Sequence, residues 1–149
     1  MPISEKVKAL IRSAWDDGAP CLLATQGPNG PNISPKGSMV VFDDNHLAYW
    51  ERSKKQALEN LGHDKRVCVI YANFKAQRDG VLDSGFLRFY GKAELHESGI
   101  RDNIFKRANA CRRGYWHRRA DQDRTRCGRS RQATTVNLRS AYNLLNFAH

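Results

Sequence analysis

Between residues 20 and 95 the chain breaks into short apolar runs, each closed by residues that turn a backbone. This punctuation constrains the fold more than any other feature. Residues 20–25 read as a short buried strand. The stretch Gly27-Pro-Asn-Gly-Pro31 concentrates residues that permit or fix special backbone angles, so it reads as a turn. Residues 32–34 can pair back as a second strand, 38–42 form a third, Asp43 to Asn45 turn the chain again, and 46–50 form a fourth. Residues 66–71 are rich in β-branched side chains. Residues 85–95 make a long strand whose internal Gly91 predicts a bulge or bend. Short antiparallel strands with few helices predict a mainly β fold, a small barrel or sandwich with flanking helices.

Two segments change period. Ile3, Val7, Leu10, Ile11, Ala14 and Trp15 share one helical face, with Ser4 as N-cap and Gly18 as stop. Ala57, Leu58 and Leu61 do the same over 53–61, with Gly62 as stop. Residues 73–84 read as loop.

Composition closes off several classes. A chain of 149 residues is one domain by length, and 40% apolar residues support a single core, which excludes a wholly disordered chain. No stretch approaches 18 consecutive apolar residues, so no transmembrane span and no membrane partner are expected. The opening residues carry no apolar run of signal length. Cys21, Cys68, Cys111 and Cys127 are irregularly spaced, and read as free thiols in a reducing cytoplasm. The net charge of +10 suggests a nucleic-acid partner, but residues 1–100 hold 13 basic and 12 acidic side chains while residues 101–149 hold 12 and 3. A near-neutral body and a basic end need separate explanations.

Two polar clusters in the body can carry chemistry. In Ser34-Pro-Lys-Gly-Ser38, Lys36 supplies a cation, Gly37 lets a ligand approach the backbone, and Ser38 supplies a hydroxyl. In Glu51-Arg-Ser-Lys-Lys55, Ser53 reads as an N-cap, and Lys54 and Lys55 fall in the first helical turn. Cations there oppose the helix dipole, and an anionic ligand, most simply a phosphate, would offset that. The alternative is a solvated charged face. Tyr49 and Trp50 precede the second cluster on a strand, so one faces the core and the other does not. The outward one could stack on a flat heterocycle, or simply pack in a barrel or an interface.

The order of these pieces resembles the pyridoxamine 5′-phosphate oxidase-like proteins. It runs from Asn32-Ile-Ser-Pro-Lys-Gly-Ser-Met-Val-Val-Phe through Leu47-Ala-Tyr-Trp-Glu-Arg-Ser-Lys-Lys, Leu58-Glu-Asn-Leu and Arg66-Val-Cys-Val to Leu87-Arg-Phe-Tyr-Gly-Lys-Ala-Glu. It covers about residues 5–108, and the five pieces are specific in combination. The resemblance implies an FMN-binding split β-barrel and a homodimer with FMN between two barrels. Lys36 then matches a basic phosphate-side position, Gly37, Ser38 and Met39 line the flavin, and Tyr49 and Trp50 run along it. Ser53, Lys54 and Lys55 match the Ser-Arg-Lys segment that grips the phosphate, with Lys for Arg in the middle, which loses a bidentate fork. Arg88 is implied as a contact to the flavin ring or the substrate. The family's C-terminal Arg and His substrate-binding segment has no counterpart here, so vitamin B6 oxidation is only a family label.

The last third departs from that pattern. Residues 1–110 read as the barrel domain, including a helix over 99–110. Residues 111–131 hold eight arginines in 21 positions and no Val, Ile, Leu, Met or Phe. Only residues 133–138 have strand character. Three readings apply: a basic arm that binds RNA or DNA through Tyr115 and Trp116, a disordered tail, or text read out of frame from a G+C-rich gene. A zinc site at Cys111, His117 and Cys127 lacks a fourth ligand and a known spacing. Without a closing strand from this segment, the barrel is expected to keep an open edge.

The leading expectation is a cytoplasmic, homodimeric FMN-binding oxidoreductase acting on a small-molecule substrate or a nicotinamide donor. No Ser-His-Asp, HExxH or Walker pattern points to another enzyme class. The competing readings are a flavin- or haem-binding stress protein without turnover, and a nucleic-acid-binding module acting through the basic end. The near-neutral body argues against the latter.

Overall fold

Pro28 and Asn29 make a two-residue turn that joins β1 (Cys21–Gly27) to β2 (Gly30–Lys36), with Gly27 opposite Gly30. The structure, a computed structural model, describes residues 2–51, 56–96 and 132–142. Among these, β1 also pairs with β5 (Arg66–Ala72), β5 with β6 (Phe86–His96), β6 with β7 (Gln132–Tyr142), β7 with β4 (His46–Glu51), and β4 with β3 (Val40–Val41), all antiparallel. The sheet order is β2-β1-β5-β6-β7-β4-β3.

Its two edge strands are consecutive in sequence. Only residues 37–39 separate Lys36 from Val40, a reach of about 14 Å at full extension. A seven-stranded sheet can meet that constraint only by curling until its edges approach, and this makes it barrel-like.

Alternation fills the interior. Leu23, Leu47, Val69, Tyr71, Phe89 and Val136 point inward and are at most 1% exposed. Ile11 of α1 (Glu5–Ser13) and Leu61 of α2 (Gln56–His63) are buried in the same cluster. Ser4 caps α1 by accepting from the Val7 N–H at 3.4 Å. Lys8 pins α1 to the turn before β4, with its ammonium 2.6 Å from carboxylate oxygens of both Glu5 and Asp44.

The structure corrects several expected boundaries. Helix α1 stops at Ser13, and Gly18, at φ +68, closes the turn that follows it. Helix α2 runs through Gly62 instead of stopping there. Inside the expected loop 73–84, Asn73 accepts from the Ala76 N–H at 2.9 Å and starts a short helix, α3 (Phe74–Arg78). The third strand shrinks to two residues because Ser38 satisfies the next ladder position with its side chain. The irregularity expected at Gly91 is present: Tyr90 faces Ser140 and Gly91 faces Leu138, so β7 carries one extra residue. A Cβ on Gly91 would overlap the Asn137 carbonyl oxygen, so only glycine fits there.

The largest correction concerns the basic end. The expectation of an open edge fails, because β7 inserts between β6 and β4 and buries Thr134, Thr135 and Val136. Alternation is weak there because three successive residues, Thr134, Thr135 and Val136, are all buried, so both faces of the strand are covered. His96 faces Ala133 in the ladder. The helix expected at 99–110, and the basic, disordered and out-of-frame readings of 111–131, fall outside the described residues.

Candidate functional site

Three pieces of chain converge at one rim of the barrel: the end of β2, the crossing 37–39, and the end of β4. Lys36 closes β2 opposite Cys21, on the inward side, and is only 7% exposed. Its ammonium lies 5.0 Å from the centroid of the Tyr49 ring, a cation–π distance. This links the two sides of the rim, and it turns the Lys36 side chain inward instead of toward solvent.

The crossing is held by its own neighbours. A Cβ on Gly37 would overlap the Trp15 indole. The Trp15 ring therefore fills the space beside Gly37. The Ser38 hydroxyl accepts from the Trp50 N–H at 3.0 Å and donates to the Trp50 carbonyl at 3.3 Å. Its single proton is thereby committed, and only a lone pair remains for anything else. The Met39 side chain is buried in the core, and its N–H donates to the Lys36 carbonyl at 3.0 Å.

Tyr49 and Trp50 divide as strand alternation requires. Tyr49 is fully buried in the main core. Trp50 lies on the other face with Ala48, Val40 and Phe42, and is 9% exposed. The outward indole is therefore covered largely by its own chain. Ser53, Lys54 and Lys55 lie outside the described residues. Their flanks are described: β4 ends at Glu51 and α2 begins at Gln56.

Arg88 is not part of this convergence. It sits on the outward side of β6, opposite Ile70 of β5. Its guanidinium carbon is 5.4 Å from the Phe86 ring centroid, and Nη1 donates to the Tyr90 hydroxyl at 3.4 Å. Burial pushes the nearby Cys68 thiol pKa up, and the Arg88 charge opposes that only in part.

Sequence reasoning missed two residues at the rim. Trp15 was grouped with the α1 core face, yet its ring fills the space beside Gly37. Thr134 lies opposite Tyr49, fully buried, and its hydroxyl has no hydrogen-bond partner among the described residues. Thr134 could have been found from the strand character of 133–138. No sequence signal pointed to Trp15. Among the described residues no group of His, Cys, Asp and Glu could hold a metal ion. No helix there is long and apolar enough to cross a membrane.

The fold recurs in solved proteins. HupZ of Group A Streptococcus superposes with a TM-score of 0.62 at 23% identity, covering 97% of this chain and 95% of that one. An FMN-binding protein from Syntrophomonas wolfei gives 0.61 at 13%, covering 91% and 84%. An F420 reductase gives 0.60 at 15%, covering 94% and 98%. At these identities the likeness is one of fold. No curated protein matches the chain. The sequence pattern of pyridoxamine 5′-phosphate oxidase, however, matches residues 3–139, through β1 to β6 and into β7. With its curled antiparallel sheet and its edges joined across 37–39, the chain belongs to the pyridoxamine 5′-phosphate oxidase family of split barrels.

Proposed function

We propose that the protein is a flavin-dependent oxidoreductase of the cytoplasm, a homodimer that holds FMN at the rim formed by residues 36–39, the end of β4 and residues 52–55. One observation carries this reading. The paired hydrogen bonds between Ser38 and Trp50 tie the crossing to the strand that leads directly into Ser53, Lys54 and Lys55. A hydroxyl and two ammonium groups just before an eight-residue helix are a donor set that fits a phosphate monoester. Gly37, Ser38 and Met39 offer backbone to the flavin's edge, with Tyr49 and Trp50 behind them. Lys36, turned inward, acts on the site through Tyr49.

A bound flavin would supply the electron transfer, and the chain's own residues bind and orient it. The substrate is then a small molecule or a nicotinamide donor. The dimer would cover the outward face of β1, β2 and β5. There Ile33 is 65% exposed beside half-buried Leu22, Ala24 and Ile70, an apolar surface that a second copy can bury. The fold shared with an F420 reductase favours a second reading, in which a deazaflavin occupies the same rim.

The test is an absorbance spectrum after mixing with FMN, or separately with F420, and desalting. Retained FMN that is lost in Lys54→Glu/Lys55→Glu supports the assignment. Retention of F420 alone selects the second reading, and a folded protein that retains neither overturns both.

A further inference from the structure

Trp15 stands in the turn between α1 and β1, and the chain fixes that turn from both sides. The Trp15 carbonyl accepts from the Gly18 N–H at 3.1 Å, and the Asp17 N–H donates to the Ser13 carbonyl at 2.9 Å. Upstream, α1 is fastened to the turn before β4 by the Lys8 ammonium on Asp44 and by the Ile3 N–H, which donates to the Asp44 carbonyl at 2.6 Å. Downstream, Cys21 opens β1 opposite Lys36, the residue before Gly37. The indole is thus delivered to the crossing 37–39 by parts of the chain that lie outside it.

There the ring meets Gly37. The three atoms nearest to a Cβ built on Gly37 all belong to the indole. The backbone does not itself demand glycine at this position, because the glycines with positive φ among the described residues are Gly18, Gly30 and Gly80. The ring imposes the glycine, and the turn does not. Core packing does not account for the ring, which is 38% exposed while the neighbouring Ala14 is 4% exposed. Ser38 is tied to Trp50 through its hydroxyl, and the Met39 side chain is buried in the core. Gly37 has no side chain of its own to hold it, and Trp15 supplies that hold. A loose glycine would have to be ordered each time a ligand met the crossing, at a cost to binding.

We propose that Trp15 is a positioning residue for the flavin: its indole, seated on Gly37, sets the backbone of residues 37–39 before the cofactor arrives. This rests on the flavin reading above, and it gives a role to a residue that acts on the cofactor through the crossing.

The test titrates the full chain with FMN, or with F420 if that is what the wild type retains. Affinity is read by flavin fluorescence, and the visible circular dichroism of the bound flavin is recorded at saturation, with urea midpoints on the same samples. Trp15→Ala raises the Kd about tenfold or more and alters the visible dichroism, because the crossing no longer presents one geometry. Trp15→Phe, which keeps a flat ring, recovers most of the affinity and the wild-type spectrum. Gly37→Ala alone also weakens binding about tenfold or more, since its Cβ displaces the ring; in the Trp15→Ala background the same change adds no further loss. Where Trp15→Ala does not fold, Trp15→Leu gives the same comparison. Wild-type affinity and spectrum in a folded Trp15→Ala protein overturn the inference and leave the flavin reading standing. So does an affinity that falls only in step with the urea midpoint while the spectrum stays unchanged, the signature of a merely structural residue. A folded wild type that binds neither cofactor overturns the flavin reading and this inference with it.

Discussion

Ser38 and Trp50 exchange two hydrogen bonds through a single side chain. The hydroxyl accepts from the Trp50 N–H at 3.0 Å and donates to its carbonyl at 3.3 Å. Val40 pairs with Ala48 two residues earlier in the ladder, so Ser38 stands where a backbone pair would come next. A side chain thus closes the ladder and frees the backbone of the crossing to turn from one sheet edge to the other.

Replacing Ser38 with Ala removes the hydroxyl that bonds both the N–H and the C=O of Trp50. Each unsatisfied group costs about 1–3 kcal/mol. We expect Ser38→Ala to lower the urea midpoint accordingly and to weaken flavin retention with it. An unchanged midpoint would show that water replaces the hydroxyl at this rim.

Asn60 is the corresponding clamp on the β1–β2 hairpin. It is 1% exposed, and its amide donates at 3.3 Å to both the Thr25 hydroxyl and the Gly30 carbonyl. Asn60→Leu keeps the approximate volume but strands both acceptors, and should destabilise by about 2 kcal/mol. Chemical denaturation checks this, and a loss below about 0.5 kcal/mol would mean that the hairpin is held by its ladder alone.

The bulge opposite Gly91 predicts a sharper effect. A Cβ there meets a backbone oxygen of Asn137, which cannot swing aside as a side chain can. Gly91→Ala should therefore cost more than the same change at Gly62, where a Cβ meets nothing and which lies within α2. At Gly62 alanine should stabilise by about 0.5–1 kcal/mol. Comparing the two thermal midpoints tests whether β7 is seated as described.

Acid stability should report on Asp43. Burial pushes its carboxyl pKa up, but the Asn45 N–H and the His46 ring outweigh this and hold it below its ordinary value of 3.8. A depressed folded-state pKa contributes stability that is present above 3.8 and is lost as pH falls from there through the folded value. The stability difference between the wild type and Asp43→Asn should thus be constant at neutral pH and shrink below that point. A difference that grows on acidification would reverse the assignment.

Much of this architecture was legible in local sequence. The Gly27–Pro31 turn, the alternation in 66–71 and the strand around Gly91 each specify their own backbone over a few residues. The division of Tyr49 from Trp50 across β4 followed from the period of a strand alone. Less legible was anything set by distant partners. Asn73 as an N-cap hid in a segment rich in turn residues, and although 133–138 had strand character, the place of β7 between β4 and β6 was hidden because those neighbours lie far away in sequence.

The candidate site divides the same way. Sequence by itself determined the residue types and their order: a lysine, a glycine and a serine at one strand end, two aromatics at another, and a hydroxyl with two cations before a helix. It also determined the family, because that order is a pattern along the chain. Only the tertiary structure decided which way those groups face. Lys36 turns in to Tyr49, Ser38 commits its proton to Trp50, Gly37 yields its space to Trp15, and Arg88 stands apart on the outer face. The physical reason is that chemistry belongs to a residue, whereas orientation depends on how the sheet curls, and the curl is set by edges that meet across residues 37–39 and by a closing strand that arrives from the end of the chain.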